Sequence, residues 1–444
     1  MSATTRSKSA NNPADRPAGP IDLRIAVPAD LDAVTTIGTE ASSDINVEWI
    51  WQAVRDWYRV GVHPAIQLCL RVDGEIILNR SIGHSHGNEP KPLPPHGVVL
   101  VEPDSEQIVA TPDTPYCVYS AAKGFATVVM HRLIERGDLA LDAHVCDYLP
   151  GYTSHGKDRT TIAHVLGHRA GIPLMMPGHD GDQMSGSASD LDRIGDSDFA
   201  VAQLCAQKPQ YRPGLISVYH ALTFGFLVRE IVQAATGRSI RDIAADEILT
   251  PLGFRWNNFG VLPEEVPLVA LSHHTAREIP EPFLTLFRKS IGGGLGKVIS
   301  MTNDPRFLTA VVPSSSGVST AQELSKFYEI TRRGGAMDGV RVLEPQTLQR
   351  ALAPTTMTRP DISVGLQPMR WGSGFMLGGK RSGPFGRTTA GAFGHMGLID
   401  VAGWADPPRG LAGGLITSGK PGPHANAHGY NILMNRIAAV IPRR

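Results

Sequence analysis

Apolar and polar residues along this chain follow two rhythms, one close to 3.6 residues and one of two, and together they lay out its elements. Val47, Ile50, Val54 and Trp57 recur at helical spacing and predict a helix over 47–58. Alternation takes over in Ile66-Gln67-Leu68-Cys69-Leu70, and a second strand-like run, Glu75-Ile76-Ile77-Leu78, follows Asp73-Gly74, a pair suited to hairpin turns. Two antiparallel strands therefore open a sheet. A Pro-rich stretch from Pro90 to Pro95 reads as a surface connection. The next helical segment begins near Ser120, buries Phe125, Val128, Val129, Leu133 and Ile134, and meets a stop at Gly137.

From Asp142 to Gly317 the pattern is mostly helical, broken by polar runs such as Gly178 to Ser189. One helix, with Phe224, Leu227, Ile231 and Ala235 on a side, starts just after Tyr219. Another spans Thr320 to Arg333; strand-like runs follow at Leu398 to Ala405 and Leu411 to Thr417, and a last helix starts near Asn431. Strands at both ends with helices between predict an α+β unit whose one sheet is closed by distant segments. The expected organisation is a flexible tail over 1–34 and a single catalytic unit over 35–444. That unit divides into an α/β lobe (45–141 and 318–444) and a helical lobe (142–317).

Composition narrows the function classes. With 444 residues the chain can hold one large two-lobed enzyme, and 42% hydrophobic against 19% charged residues is globular rather than disordered composition. Lys plus Arg and Asp plus Glu are both 42, so no basic footprint points to nucleic acid. The first twenty residues lack the apolar core of a secretory signal, and no run of 18 apolar residues occurs, so membrane insertion is not expected and a cytoplasmic location is. Cys69, Cys117, Cys146 and Cys205 form no C-x-x-C pair, which fits reduced thiols better than zinc ligands or disulfides.

Three local patterns carry chemistry. Ser120-Ala121-Ala122-Lys123 puts a hydroxyl and an amine one helical turn apart, on the same face. A neutral amine there can take the proton of a serine hydroxyl, which is otherwise a weak nucleophile. The helix N-terminus also favours negative charge developing beside the serine. Tyr219 follows the turn pair Pro213-Gly214. Its phenol can relay a proton if a cation such as Lys123 stabilises the phenolate; alternatively its ring simply fills a lobe interface. In Phe393-Gly394-His395-Met396-Gly397, glycines flanking a histidine permit close approach of substrate, and a following strand edge can lend an amide to an oxyanion hole. A histidine between glycines is equally at home in a turn.

In this order the three patterns resemble the active-site motifs of the serine β-lactamase and penicillin-binding protein superfamily, in particular class C β-lactamases and the related family VIII esterases. Thr161-Ile162-Ala163-His164-Val165-Leu166-Gly167-His168 with Gly171-Ile172-Pro173, and Ser316-Gly317-Val318-Ser319-Thr320-Ala321, resemble further family segments, so the likeness spans residues 45–440. The resemblance implies a β-lactamase/transpeptidase-like fold, an antiparallel sheet flanked by helices plus an all-helical lobe, with the site between. It makes Ser120 the nucleophile, Lys123 the general base and Tyr219 the proton relay. The backbone amides of Ser120 and Leu398 would form the oxyanion hole, and His395, Gly397 and Ala221 would meet the substrate.

Departures from the motifs are informative. Penicillin-recognising enzymes place Asn two residues after the motif tyrosine, where this chain has Ala221, and carry Lys-Thr-Gly where it has His395-Met396-Gly397. Histidine, with an ordinary pKa of about 6.5, gives up most of the lysine's fixed charge at neutral pH. Loss of two substrate-recognition groups beside an intact Ser, Lys and Tyr favours hydrolysis of a small-molecule carboxylic ester without a cofactor. The alternatives are a β-lactamase or DD-peptidase, and a non-catalytic binding protein of the same fold.

Rival motifs are weaker. Gly83-His84-Ser85-His86-Gly87 matches the G-x-S-x-G elbow, but the prolines after it preclude the helix that elbow needs, so both glycines read as turn residues after the second strand. His84-x-His86, His164-x-x-x-His168, which could share one helix face, and His273-His274 lack an acidic third ligand, so no metal is expected. Gly292-Gly293-Gly294-Leu295-Gly296-Lys297 lacks phosphate-loop spacing and reads as a flexible loop near the cleft.

Overall fold

The computed structural model describes residues 21–42, 44–93, 106–174, 188–276, 293–361, 367–422 and 427–444, together with 285, 288 and 291. Its centre is an eight-stranded sheet. In chain order the strands are β1 (Thr35–Ile37), β2 (Ala65–Val72), β3 (Glu75–His86), β4 (Ile108–Val109), β5 (Met376–Leu377), β6 (Phe393–Gly397), β7 (Val401–Asp406) and β8 (Leu411–Thr417). The spatial order is β5-β6-β7-β8-β2-β3-β1, with β4 on the far end of β3, and every pairing is antiparallel. The two ends of the chain meet at β8 and β2, where Gly414 faces Cys69 and Leu415 faces Leu68.

Alternation along β2 divides its side chains between two cores. Ile66, Leu68 and Leu70 point into a cluster with helix α1 (Val47–Arg59) and helix α5 (Ala427–Val440), including Trp51, Trp57 and Leu433. Ala65 and Cys69 point the other way, toward Leu324, Phe327 and Tyr328 of helix α4 (Ala321–Arg332). Gln67, the polar member of the pattern, is also buried. Its amide donates to the carbonyls of Thr111 and Thr114 while its oxygen accepts from Ala321 N at 3.0 Å, which satisfies a group that burial would otherwise penalise. Beyond α4 the same core continues into helix α2 (Ala122–Arg136) and helix α3 (Thr223–Thr236), through Phe125, Val129, Leu227 and Ile231.

Several expectations need correction. Residues 1–20 lie outside the described part, but 21–34 are packed rather than free: Leu23–Arg24 pairs with Lys91–Pro92, and Ile25, Leu31 and Val34 are buried. Those apolar residues were the overlooked signal. The second strand continues through His86, so Gly83 lies inside it instead of in a turn; as expected, the described residues 87–93 after it form no helix. His395 sits within strand β6, and Leu398 to Asp400 form the turn to β7 rather than its start. Leu295–Thr302 is a helix instead of a flexible loop; Gly292 is outside the described residues. His164 lies on the helix Ile162–Leu166 but His168 is beyond its end with φ 55°, so the two share no helix face. Among the described residues no cluster of His, Cys, Asp and Glu is arranged to hold a metal, and no helix is long and apolar enough to cross a membrane.

Candidate active site

Ser120 is presented by a strained turn. The short strand Tyr116–Cys117 pairs with Gly317–Ser319, and Val118 N donates to Gly317 O at 2.8 Å, which fixes the backbone just upstream. Tyr119 then adopts φ 51°, a left-handed conformation uncommon for a non-glycine residue, and Tyr119–Ala121 make a 3₁₀ turn that runs straight into α2. Ser120 is half-buried at the head of that helix.

Lys123, one turn on, is fully buried. Its Nζ lies 2.7 Å from Ala221 O, 3.1 Å from Ser314 O and 3.0 Å from Ser120 Oγ. A neutral amine has two N–H donors and one lone pair, and this arrangement uses all three: the carbonyls take the donors, and the lone pair is left for the serine O–H. An ammonium here would have to donate to Ser120. Burial pushes the Lys123 pKa well below its ordinary value, which favours the neutral, basic form of the amine.

Tyr219 and His395 complete the cluster. The Tyr219 ring stacks on Trp371 at 5.6 Å with planes 7° apart, meets His168 edge-on at 4.9 Å, and has Lys123 Nζ 4.9 Å from its centroid. Its backbone N donates to Asp361 Oδ2 at 2.8 Å. Among the described residues no hydrogen-bond partner reaches its hydroxyl. Burial raises the phenol pKa, while nearby Ser120 draws it slightly back. His395, fully buried, has Nδ1 2.7 Å from Met396 O, so Nδ1 carries the proton and Nε2 is a bare acceptor with no partner of its own. Burial, with Lys123 nearby, pushes its pKa down to about 3. This imidazole is neutral at pH 7 and cannot replace a lysine's charge.

Glycine is required where two backbones touch. A Cβ on Gly397 would lie 2.3 Å from Val118 O, so only glycine lets the end of β6 close on the nucleophile turn and bring Leu398 beside Ser120. A Cβ on Gly124 would lie 2.2 Å from the Tyr328 hydroxyl, which ties α2 against α4.

A cavity of about 90 Å³ opens at Ser120. Tyr119, Ala221 and Leu398 border its serine end, and its walls are Ile194, Leu222, Phe226, Met301, Phe307 and Val312. The exposed Lys297 is at its edge. Thus the structure brings together Ser120, Lys123, Tyr219, Ala221, His395, Gly397 and Leu398, as the motifs imply. Ser314, Trp371 and His168 were not singled out as site residues. Ser314 acts through a main-chain carbonyl, which leaves no signature in sequence; His168 is read there as part of a family segment and as a possible metal ligand, but not as a site residue.

A serine paired with a buried amine, at the head of a helix and against the edge of an antiparallel sheet, defines the serine hydrolases that share the penicillin-recognising fold. The chain belongs to the Beta-lactamase family, whose model matches residues 54–434. It is 28% identical over 350 residues to the esterase/beta-lactamase LipL of Mycobacterium tuberculosis, covering 75% of this chain and 77% of that protein. It is 27% identical over 394 residues to penicillin-binding protein 4 of Amycolatopsis lactamdurans, covering 83% and 84%. Among solved structures, a family VIII carboxylesterase superposes with a TM-score of 0.72 at 22% identity, covering 91% of this chain and 99% of that one.

Proposed function

We propose that this protein hydrolyses carboxylic esters with apolar acyl groups through an acyl-enzyme on Ser120. The observation that carries the reading is the apolar cavity beside Ser120, bordered by Ala221 where a penicillin-recognising site has an amide side chain. An acylamino group of a peptide or β-lactam would be buried there without that partner, whereas a hydrocarbon acyl chain is stabilised by burial. The neutral His395 supports the same reading, because a substrate carboxylate finds no fixed cation at that position. Similarity to a relative named as an esterase/beta-lactamase and to one named as an esterase supports it too.

The chemistry follows from the donors and acceptors in place. Ser120 Oγ attacks the ester carbonyl as its proton passes to Lys123 Nζ, and the tetrahedral oxyanion is met by the amides of Ser120 and Leu398. Lys123 returns the proton by way of the Tyr219 hydroxyl to the leaving alkoxide as the acyl–oxygen bond breaks. Water, losing a proton to the same pair, then attacks the acyl-enzyme; the acyl–Oγ bond breaks, Lys123 returns the proton to Ser120 Oγ, and the acid is released. The test compares kcat/KM for p-nitrophenyl acyl esters and for nitrocefin, with a fluorophosphonate probe reporting the nucleophile. Ester turnover and labelling vanish in Ser120→Ala and persist in Ser85→Ala; nitrocefin turned over as fast as the best ester overturns the proposal.

A further inference from the structure

Behind the site, and unused by the chemistry above, lies another buried lysine. Lys420 is fully buried on a two-residue strand, Gly419–Lys420, that pairs in parallel with His273–His274. Its Nζ donates to Thr417 O at 2.6 Å and to Ile399 O at 3.2 Å, and it lies 5.1 Å from the centroid of the Tyr119 ring. Those contacts reach two strained places. Ile399 and Asp400, the residues of the β6–β7 turn, have φ of 47° and 61°. Hairpin turns with two positive φ values favour Asn-Gly; a β-branched isoleucine there is held against its preference. Tyr119, at φ 51°, is the other.

The two strained residues adjoin the two amides that face the oxyanion: Tyr119 precedes Ser120, and Ile399 follows Leu398. We infer that Lys420 is a positioning residue for the oxyanion hole, one buried amine clamping the Ser120 turn through the Tyr119 ring and the Leu398 turn through the Ile399 carbonyl. The inference rests on the acyl-transfer reading of the site but not on the ester preference. Strain of this kind persists only where surrounding structure over-determines it. Tyr119 is also held from its far end, where its hydroxyl meets Thr302 Oγ1 at 2.9 Å.

Asp400 is the carboxylate that acts on this amine. Burial raises the Asp400 pKa to about 7 and lowers that of Lys420 to about 7, and each opposes the other's shift. His63 Nε2 lies 3.7 Å from Asp400 Oδ2, but burial and the nearby Lys420 hold that imidazole neutral at pH 7, with its pKa pushed down to about 3. Burial also holds the neighbouring Cys117 as a neutral thiol and Tyr119 as a neutral phenol. Asp400 is therefore the partner that favours the ammonium.

The test replaces Lys420→Met and, separately, Asp400→Asn, and measures kcat, KM and the affinity of an arylboronic acid whose serine adduct places an oxygen where the oxyanion sits. Outright loss of one oxyanion donor costs about 10²–10³ in kcat, so a misplaced one is expected to cost about 10- to 100-fold in Lys420→Met, with KM changed by less than about twofold. Boronate affinity falls by the same factor as kcat. Asp400→Asn, nearly isosteric, shows a smaller loss of the same kind and decides the matter if Lys420→Met does not fold. A folded variant with kcat within about twofold of the wild type, or a lower kcat with unchanged boronate affinity, overturns the inference. Kinetics use the better of ester and nitrocefin: a preference for nitrocefin overturns the ester proposal alone. A wild type that turns over neither and binds no boronate overturns both.

Discussion

If Lys123 is neutral in the folded protein, its stability must depend on pH in a way that removing the amine abolishes. Unfolded, the side chain has a pKa of about 10.4 and binds a proton at pH 7; folded, buried with its two N–H groups on Ala221 O and Ser314 O, it does not. The unfolded state binds more protons, so stability rises with pH from the lowered folded value up to the unfolded one. One proton per molecule corresponds to about 1.4 kcal/mol per pH unit. Lys123→Met lacks this dependence, although it leaves two carbonyls unsatisfied, at about 1–3 kcal/mol each and independent of pH. The difference in unfolding free energy between wild type and Lys123→Met should therefore move by about 3 kcal/mol in favour of the wild type between pH 7 and 9. Urea titrations of both proteins at half-unit intervals measure it. Parallel curves would show that Lys123 is protonated when folded, and the general-base role would fall. In kinetics the same variant, and Lys123→Arg, lose about 10²–10⁴ in kcat.

Other expectations follow from single contacts. Tyr219→Phe slows the single-turnover acylation rate with simple alkyl esters by about 10²-fold or more but spares p-nitrophenyl esters, whose leaving group needs no proton; equal losses on both refute the relay. Gly124→Ala loses about 1–3 kcal/mol in urea unfolding because its Cβ would meet the Tyr328 hydroxyl at 2.2 Å. Most of that is recovered when Tyr328→Phe removes the oxygen, and additive losses would refute the contact. Gly397→Ala, whose Cβ falls 2.3 Å from Val118 O, lifts the strand from the nucleophile turn and lowers kcat by about 10²-fold with little change in KM.

Where sequence reading succeeded, a side-chain pattern carried the information. The helix Val47–Arg59, the pair β2 and β3, and the Ser120–Lys123 spacing all follow from periodicity. Where it failed, the determinant was backbone. His395 looked like a turn residue because Gly394 and Gly397 flank it, yet both glycines serve close packing: a Cβ on Gly394 would meet Gly403 O at 2.2 Å across the sheet. The carbonyls that tune Lys123 belong to Ala221 and Ser314, residues whose side chains say nothing about that task. Lys420 sits in a Gly-Lys-Pro-Gly run with no motif to single it out, and only the fold shows it buried against Tyr119.

The pairing of β2 with β8 has a consequence for how the protein is made. During translation β2 and β3 emerge early, but the strand that covers β2's other edge is encoded more than 300 residues later. At about 5–20 residues per second, a ribosome needs roughly 17–70 s to supply it. For that interval the nascent chain carries an apolar strand with an unpaired edge, and the piece that brings His395 and Leu398 to Ser120 does not yet exist. Catalytic competence therefore arrives only once β6 to β8 have been made, and until then the open edge of β2 is exposed to pairing with other chains.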